Sequence, residues 1–293
     1  MSGSLSDAAR RLYEAHPRSF EQNRYVYPVV SRRARGLSIG INLNLDKVCN
    51  FDCVYCQVDR SEMGEKEFVE LDRLVAELDR TVELVSSGRI YEHPKFAATP
   101  THLRRLNDLA LSGDGEPTTH RNFDEVAAAC AEVRRRHRLD DVKIVLITNA
   151  SMFHHPRVGK GLEILAANGG EIWAKLDAGT EAYYRRVARS AIPFRRILDN
   201  LRLAACARPI VIQSLFLRLE GKPPSEEEQA AYCRRLGEIL ASGGRIKLVQ
   251  VLTVARRPAE TWVSPLCDEE LDALAALVRR ETGLETAAFY ASH

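Results

Sequence analysis

No apolar stretch in this chain approaches the about 20 residues that a membrane span requires. Residues 1–11 lack the apolar core of a signal peptide, so a cytoplasmic chain with no membrane partner is expected. Charge of one sign is not in excess. The formal net charge is +2, which gives no bulk attraction to nucleic acid or lipid. Only the basic runs 32–35, 134–138 and 256–257 offer a local patch. Internal repeats, low-complexity segments and linkers are missing. So is the P-loop pattern G-x-x-x-x-G-K-[ST], which Gly159, Lys160 and Gly161 do not supply. The histidines show no H-x3-H spacing, and His154 and His155 read as solvated loop residues. In a reducing compartment the seven cysteines serve as thiols or metal ligands, not as disulfides, and none precedes Cys49.

What the chain does contain is a cysteine triplet, Cys49-Asn-Phe-Asp-Cys53-Val-Tyr-Cys56. This C-x3-C-x2-C spacing gathers three thiolates in one short loop. A structural zinc site or a ferredoxin-type cluster takes four protein ligands. Three thiolates around a four-iron cluster leave one iron open, and an open position is what a catalytic metal site keeps. Cys130, Cys206 and Cys233 fall inside helical patterns and read as small buried hydrophobes. Cys267 lies just before the last helix.

Six short apolar runs alternate with helical patterns. The runs are 37–45, 108–111, 142–147, 171–176, 209–217 and 246–254. The first places Ile39, Ile41, Leu43 and Leu45 on one face and Ser38, Gly40, Asn42 and Asn44 on the other. Runs 143–148 and 210–216 are β-branched and nearly continuous, as strands buried on both faces are. Helices are expected over 68–85, 123–136, 161–167, 197–206, 225–240 and 268–281. Ser225 and Glu228 have the form of a capping box, and Gly243, Gly244 and Gly283 stop helices. Six βα units with right-handed crossovers predict an α/β fold, a partial (βα)6 TIM-like barrel of parallel strands, with a flat doubly wound sheet as the alternative. Residues 1–36 are expected as an N-terminal extension, and 37–293 as the barrel domain with its C-terminal helix.

Barrel enzymes place their chemistry at the C-terminal ends of the strands. Here the first run leads into the cysteines and the second into Ser112-Gly-Asp-Gly-Glu-Pro-Thr118. The others lead to Thr148 and Asn149, to Lys175 and Asp177, to Gln213 and Ser214, and to Thr253 and Arg256. Polar residues end any strand. Six such ends on one rim with a cysteine triplet point to a site. Gly113 and Gly115 are expected to let the backbone turn sharply and approach a ligand, with Glu116 supplying a carboxylate.

The cysteine motif, with Tyr55 before its last member, resembles the signature of the radical S-adenosylmethionine superfamily. Gly113-Asp114-Gly115-Glu116-Pro117 resembles that superfamily's Gly-Gly-Glu motif, with Asp114 at the first glycine position. Five segments are similar to the iron–sulfur oxidoreductase branch related to the wyosine tRNA-modifying synthases: 37–40, 112–118, 148–151, 175–178 and 213–216. That branch carries a second cluster on cysteines upstream of the signature; this chain has none there, so one cluster is expected.

The resemblance implies that Cys49, Cys53 and Cys56 hold a [4Fe–4S] cluster whose fourth iron takes S-adenosylmethionine. It implies reductive cleavage of that cofactor to a 5′-deoxyadenosyl radical, which abstracts hydrogen from substrate. Tyr55 is expected near the cluster and adenine, and Gly113, Asp114, Gly115 and Glu116 near the methionine ammonium. Asn149, Asp177 and Gln213 are expected at the cofactor's ribose and carboxylate. Lys175 and Arg256 are the catalytic candidates, facing substrate or neutralising a carboxylate. An electron donor such as flavodoxin or ferredoxin is implied, and RNA is one candidate substrate. The alternative is a non-catalytic zinc-binding or RNA-binding module in which Cys49, Cys53 and Cys56 hold zinc with one distant ligand.

Overall fold

The computed structural model describes residues 18, 20–60, 64, 68–256 and 258–291. An eight-stranded sheet forms its centre, in the order β1 (Val26–Ser31), β2 (Gly36–Ile41), β3 (Leu106–Leu111), β4 (Lys143–Thr148), β5 (Gly170–Lys175), β6 (Ile210–Leu215), β8 (Ile246–Leu252) and β10 (Thr286–Phe289). β1 runs antiparallel to β2, and the other seven strands are parallel to one another. A separate antiparallel ribbon pairs β7 (Leu217–Leu219) with β9 (Val263–Pro265). The helices of eight or more residues are α1 (Leu71–Ser86), α2 (Phe123–Arg136), α3 (Pro156–Ala167), α4 (Glu181–Ala188), α5 (Phe194–Ala207), α6 (Glu226–Ala241) and α7 (Asp268–Thr282). All six expected strands are present; the six expected helices match α1, α2, α3, α5, α6 and α7. Ser225 caps α6 by accepting from Glu228 N (3.2 Å). Gly283, at φ 71°, ends α7 in the left-handed conformation that suits glycine.

Strand alternation sorts side chains into two cores. Ile39, Ile41, Leu109, Leu111, Ile144, Leu146, Ile172 and Ile212 point outward and join the helices in one large cluster. Val145, Trp173 and Val211 point inward and pack on one another inside the curve of the sheet. The curl is visible in two side-chain contacts. The guanidinium of Arg33, just past β1, lies 5.6 Å from the Trp173 ring on β5. In a flat sheet those strands would be four spacings apart, about 19 Å. Arg32 also donates to Tyr290 O, just past β10, so the two edges of the sheet approach each other. The sheet is thus a partial barrel of mostly parallel strands.

β1 falls inside the segment expected to flank the barrel, and its Pro28 weakens a strand reading. It forms because edge strands tolerate proline and because α1 holds its entry. Glu77 of α1 is buried, and its carboxylate accepts from Arg24 N (2.9 Å), Tyr25 N (2.8 Å), Val26 N (3.3 Å) and Arg73 Nε (3.0 Å). Glu77→Ala leaves these donors unmatched and is expected to cost about 3 kcal/mol. Denaturant unfolding reads this directly; an unchanged midpoint would refute the brace.

Candidate cluster and cofactor site

The cysteine loop leaves β2 and is held from behind by α4. Asp52 N donates to Ala188 O and Val54 N to Val187 O, each at 3.0 Å. Arg189, in left-handed backbone at φ 46°, donates its Nε to Asp52 O (2.7 Å). Ser190 Oγ donates to Asn50 O (2.9 Å). Val54 and Tyr55 are buried in a small apolar cluster with Val187, Leu217, Leu219, Val254 and Val263, so the ribbon β7–β9 is a seat for the loop. Cys49, Cys53 and Cys56 are left half-buried on the wall of one cavity of about 270 Å³.

Burial pushes the Cys53 thiol up to about 12 and raises Cys49 as well. As free thiols both are protonated at neutral pH, and a metal must displace those protons. Among the described residues no three His, Cys, Asp or Glu side chains close on one point as a single metal ion requires.

The 112–118 loop lies against the residues that lead into the cysteines. A Cβ on Gly113 would lie 2.1 Å from Asn42 Oδ1, and one on Gly115 would lie 2.1 Å from Val48 O. Neither glycine has positive φ. Their smallness therefore serves close packing of two loops, and no left-handed turn is needed, while both still border the cavity. Asp114 is locked in place: its N donates to Asn42 Oδ1 (3.0 Å), and its carboxylate accepts from Asn42 Nδ2 (2.5 Å) and Arg18 Nη1 (2.6 Å).

Glu116 is buried and braces the ends of β3 and β4. Its Oε1 accepts from Thr118 N (3.1 Å), Thr118 Oγ1 (2.5 Å) and Thr148 Oγ1 (2.6 Å), and its Oε2 accepts from Asn149 N (2.7 Å). Burial raises its pKa, and these four hydrogen bonds pull it back. Asn149 carries the brace onward, donating Nδ2 to Asn50 Oδ1 (2.7 Å) inside the cysteine loop. Its Oδ1 accepts from Ser151 N (3.0 Å), so both polar ends of the Asn149 side chain are engaged within the protein.

On the next strand end, Tyr55 OH donates to Asp177 Oδ2 and accepts from Lys175 Nζ (3.3 Å), which sits 4.9 Å over the Tyr55 ring. Asp177 Oδ1 accepts from Leu215 N (2.9 Å). Burial opposes the Lys175 charge, but Asp177 and the three thiols outweigh it and hold its pKa above the ordinary value. Gln213 donates to Gln250 Oε1 (2.9 Å) under the cavity.

Every residue expected at the site borders this one cavity: the three cysteines, Tyr55, Gly113, Asp114, Gly115, Glu116, Asn149, Lys175, Asp177, Gln213 and Arg256. Ser214 does not; it faces the helices and bonds Leu176 O (2.6 Å) and Tyr232 OH (2.6 Å). Arg257 lies outside the described residues. Cys130 and Cys233 are buried as expected, but Cys206 is exposed because its position on α5 faces outward. Sequence reading missed Arg18 and Arg33, which reach the cavity from ahead of β2. The basic run at 32–35 is the only trace of Arg33, and Arg18 leaves none.

Comparison with known proteins gives the following. Residues 43–218, more than half of the chain, match the Radical SAM superfamily. A protein named GTPase Obg from Brachyspira hyodysenteriae is 22% identical over 258 residues, covering 84% of this chain and 32% of its own length. A UPF0026 protein from Methanocaldococcus jannaschii is 28% identical over 169 residues, covering 55% of this chain and 43% of its own length. The chain thus spans less than half of either relative. A solved radical SAM methyltransferase from Sphaerobacter thermophilus superposes with a TM-score of 0.61 at 12% identity, covering 90% of this chain and 69% of that one. With the fold and the cysteine loop in place, the match over 43–218 settles the family: this chain belongs to the Radical SAM superfamily.

Proposed function

We propose that this protein holds one [4Fe–4S] cluster through Cys49, Cys53 and Cys56 and takes S-adenosylmethionine in the adjoining cavity, to act on a substrate by hydrogen abstraction. One observation carries the reading: three half-buried thiols and the 112–116 loop share a single cavity. The donor set fits. Three thiols serve three irons and leave the fourth open. When bound, the cluster and S-adenosylmethionine together supply reductive cleavage and a hydrogen-abstracting radical.

The chain's own residues bind, orient and shield. Tyr55 is fixed by Asp177 and Lys175 beside the last cysteine, so its ring forms a rigid wall. Lys175 offsets part of the negative charge that three thiolates bring. Glu116, through Asn149 and Asn50, holds the cysteine loop at a set distance from β4. The implied partner is a one-electron donor of the flavodoxin or ferredoxin type. Anaerobic reconstitution with iron and sulfide is expected to give about four irons per chain and a brown protein absorbing near ~400 nm that cleaves S-adenosylmethionine. About eight irons, or a colourless zinc protein, would refute it.

A further inference from the structure

We infer that the gap between the first and last strands of the sheet is an oxyanion subsite for the substrate. Arg33 and Arg256, flanked by Arg18 and Arg32, take a phosphate or carboxylate group of a small molecule. The rest of that molecule then extends toward the cysteine side of the cavity. The inference rests on the reading of this cavity as the active site.

The four arginines come from three separate parts of the chain: ahead of β1, the β1–β2 turn, and the segment after β8. All four line the cavity that holds the cysteines. Arg18, Arg33 and Arg256 also line its inner extension of about 80 Å³. Two are already engaged: Arg18 pairs with Asp114 at 2.6 Å, and Arg32 donates to Tyr290 O. Arg33 stacks on Trp173, and among the described residues neither Arg33 nor Arg256 forms an ion pair.

Asp108 borders the inner extension; burial lifts its pKa to about 6 while Ser38 and Arg33 hold it down, and its charge favours the Arg33 cation without closing an ion pair. Burial, then repulsion from Arg18, Arg33 and Arg32, lowers Arg256 to about 10. Half-buried cations that form no ion pair are unfavourable, so an anion placed beside Arg33 and Arg256 relieves both burial and repulsion. The planar guanidinium matches a phosphate or carboxylate through two parallel hydrogen bonds. Ser31 and Ser112 line the same cavity. A small molecule fits better than a polynucleotide, because these arginines line an interior space and not an outer track.

The test is titration calorimetry with inorganic phosphate, succinate and tRNA, on the full chain before and after anaerobic reconstitution, with S-adenosylmethionine binding measured on the same samples. Phosphate or succinate is expected to bind, and a preference between them names the anion. Arg256→Gln and Arg33→Gln are each expected to weaken that binding by about tenfold or more. Arg256→Lys should recover part of it, and thermal melts confirm that the variants are folded. Binding indifferent to both substitutions, or absent for every small probe, overturns the inference. So does tRNA binding that exceeds the small anions and depends on the same arginines. If arginine-dependent anion binding persists while no cluster assembles, the subsite stands and the active-site reading falls.

Discussion

Cys53→Ala is expected to remove iron binding and S-adenosylmethionine cleavage together while the fold survives. Cys53 is half-buried, and its loop is held by other groups: the α4 carbonyls, Arg189, Ser190 and the apolar seat of Val54 and Tyr55. Removing one sulfur at such a position costs about 1 kcal/mol. The effect on the cluster is far larger. Loss of a hydrogen bond to a metal ligand already lowers affinity by about 10- to 100-fold, and loss of the ligand itself exceeds that. Iron and sulfide analysis after reconstitution, with a chromatographic assay for 5′-deoxyadenosine, reads both parts. A variant that still makes 5′-deoxyadenosine would sink the ligand assignment.

Glu116→Gln is expected to destabilise the protein by about 2–4 kcal/mol and to weaken S-adenosylmethionine binding with it. An amide has one acceptor oxygen where the carboxylate has two. If that oxygen keeps Thr118 and Thr148, the amide nitrogen faces Asn149 N–H, donor against donor. The fault then passes along Asn149 to Asn50, next to Cys49. Thr118→Val removes the Thr118 Oγ1 donor alone and leaves the carboxylate its other three bonds, so it should cost less, about 1 kcal/mol. Denaturant unfolding and calorimetry check both. Equal losses from the two variants, or a Glu116→Gln protein as stable as the parent, would contradict the brace.

Much of this architecture is legible along the chain. The alternation from Ser38 to Leu45 marks β2 and its two faces, because side chains repeat every two residues in a strand. The β-branched runs mark β4 and β6, and the C-x3-C-x2-C spacing marks the metal loop. These are local properties, and a local pattern suffices to encode them.

Three features depend on the folded chain. Antiparallel β1, with Pro28 inside it, exists because Glu77 and the β2 edge receive it. The short helix α4 shows no long apolar stripe, yet its last carbonyls hold the cysteine loop. Arg18, Arg33 and Arg256 meet only because the sheet curls until its edges approach, as Arg32 and Tyr290 show. Periodicity reports which face a side chain takes within its own element. It carries no record of how far twist accumulates across eight strands, and that accumulated twist is what closes the cavity and brings its charges together.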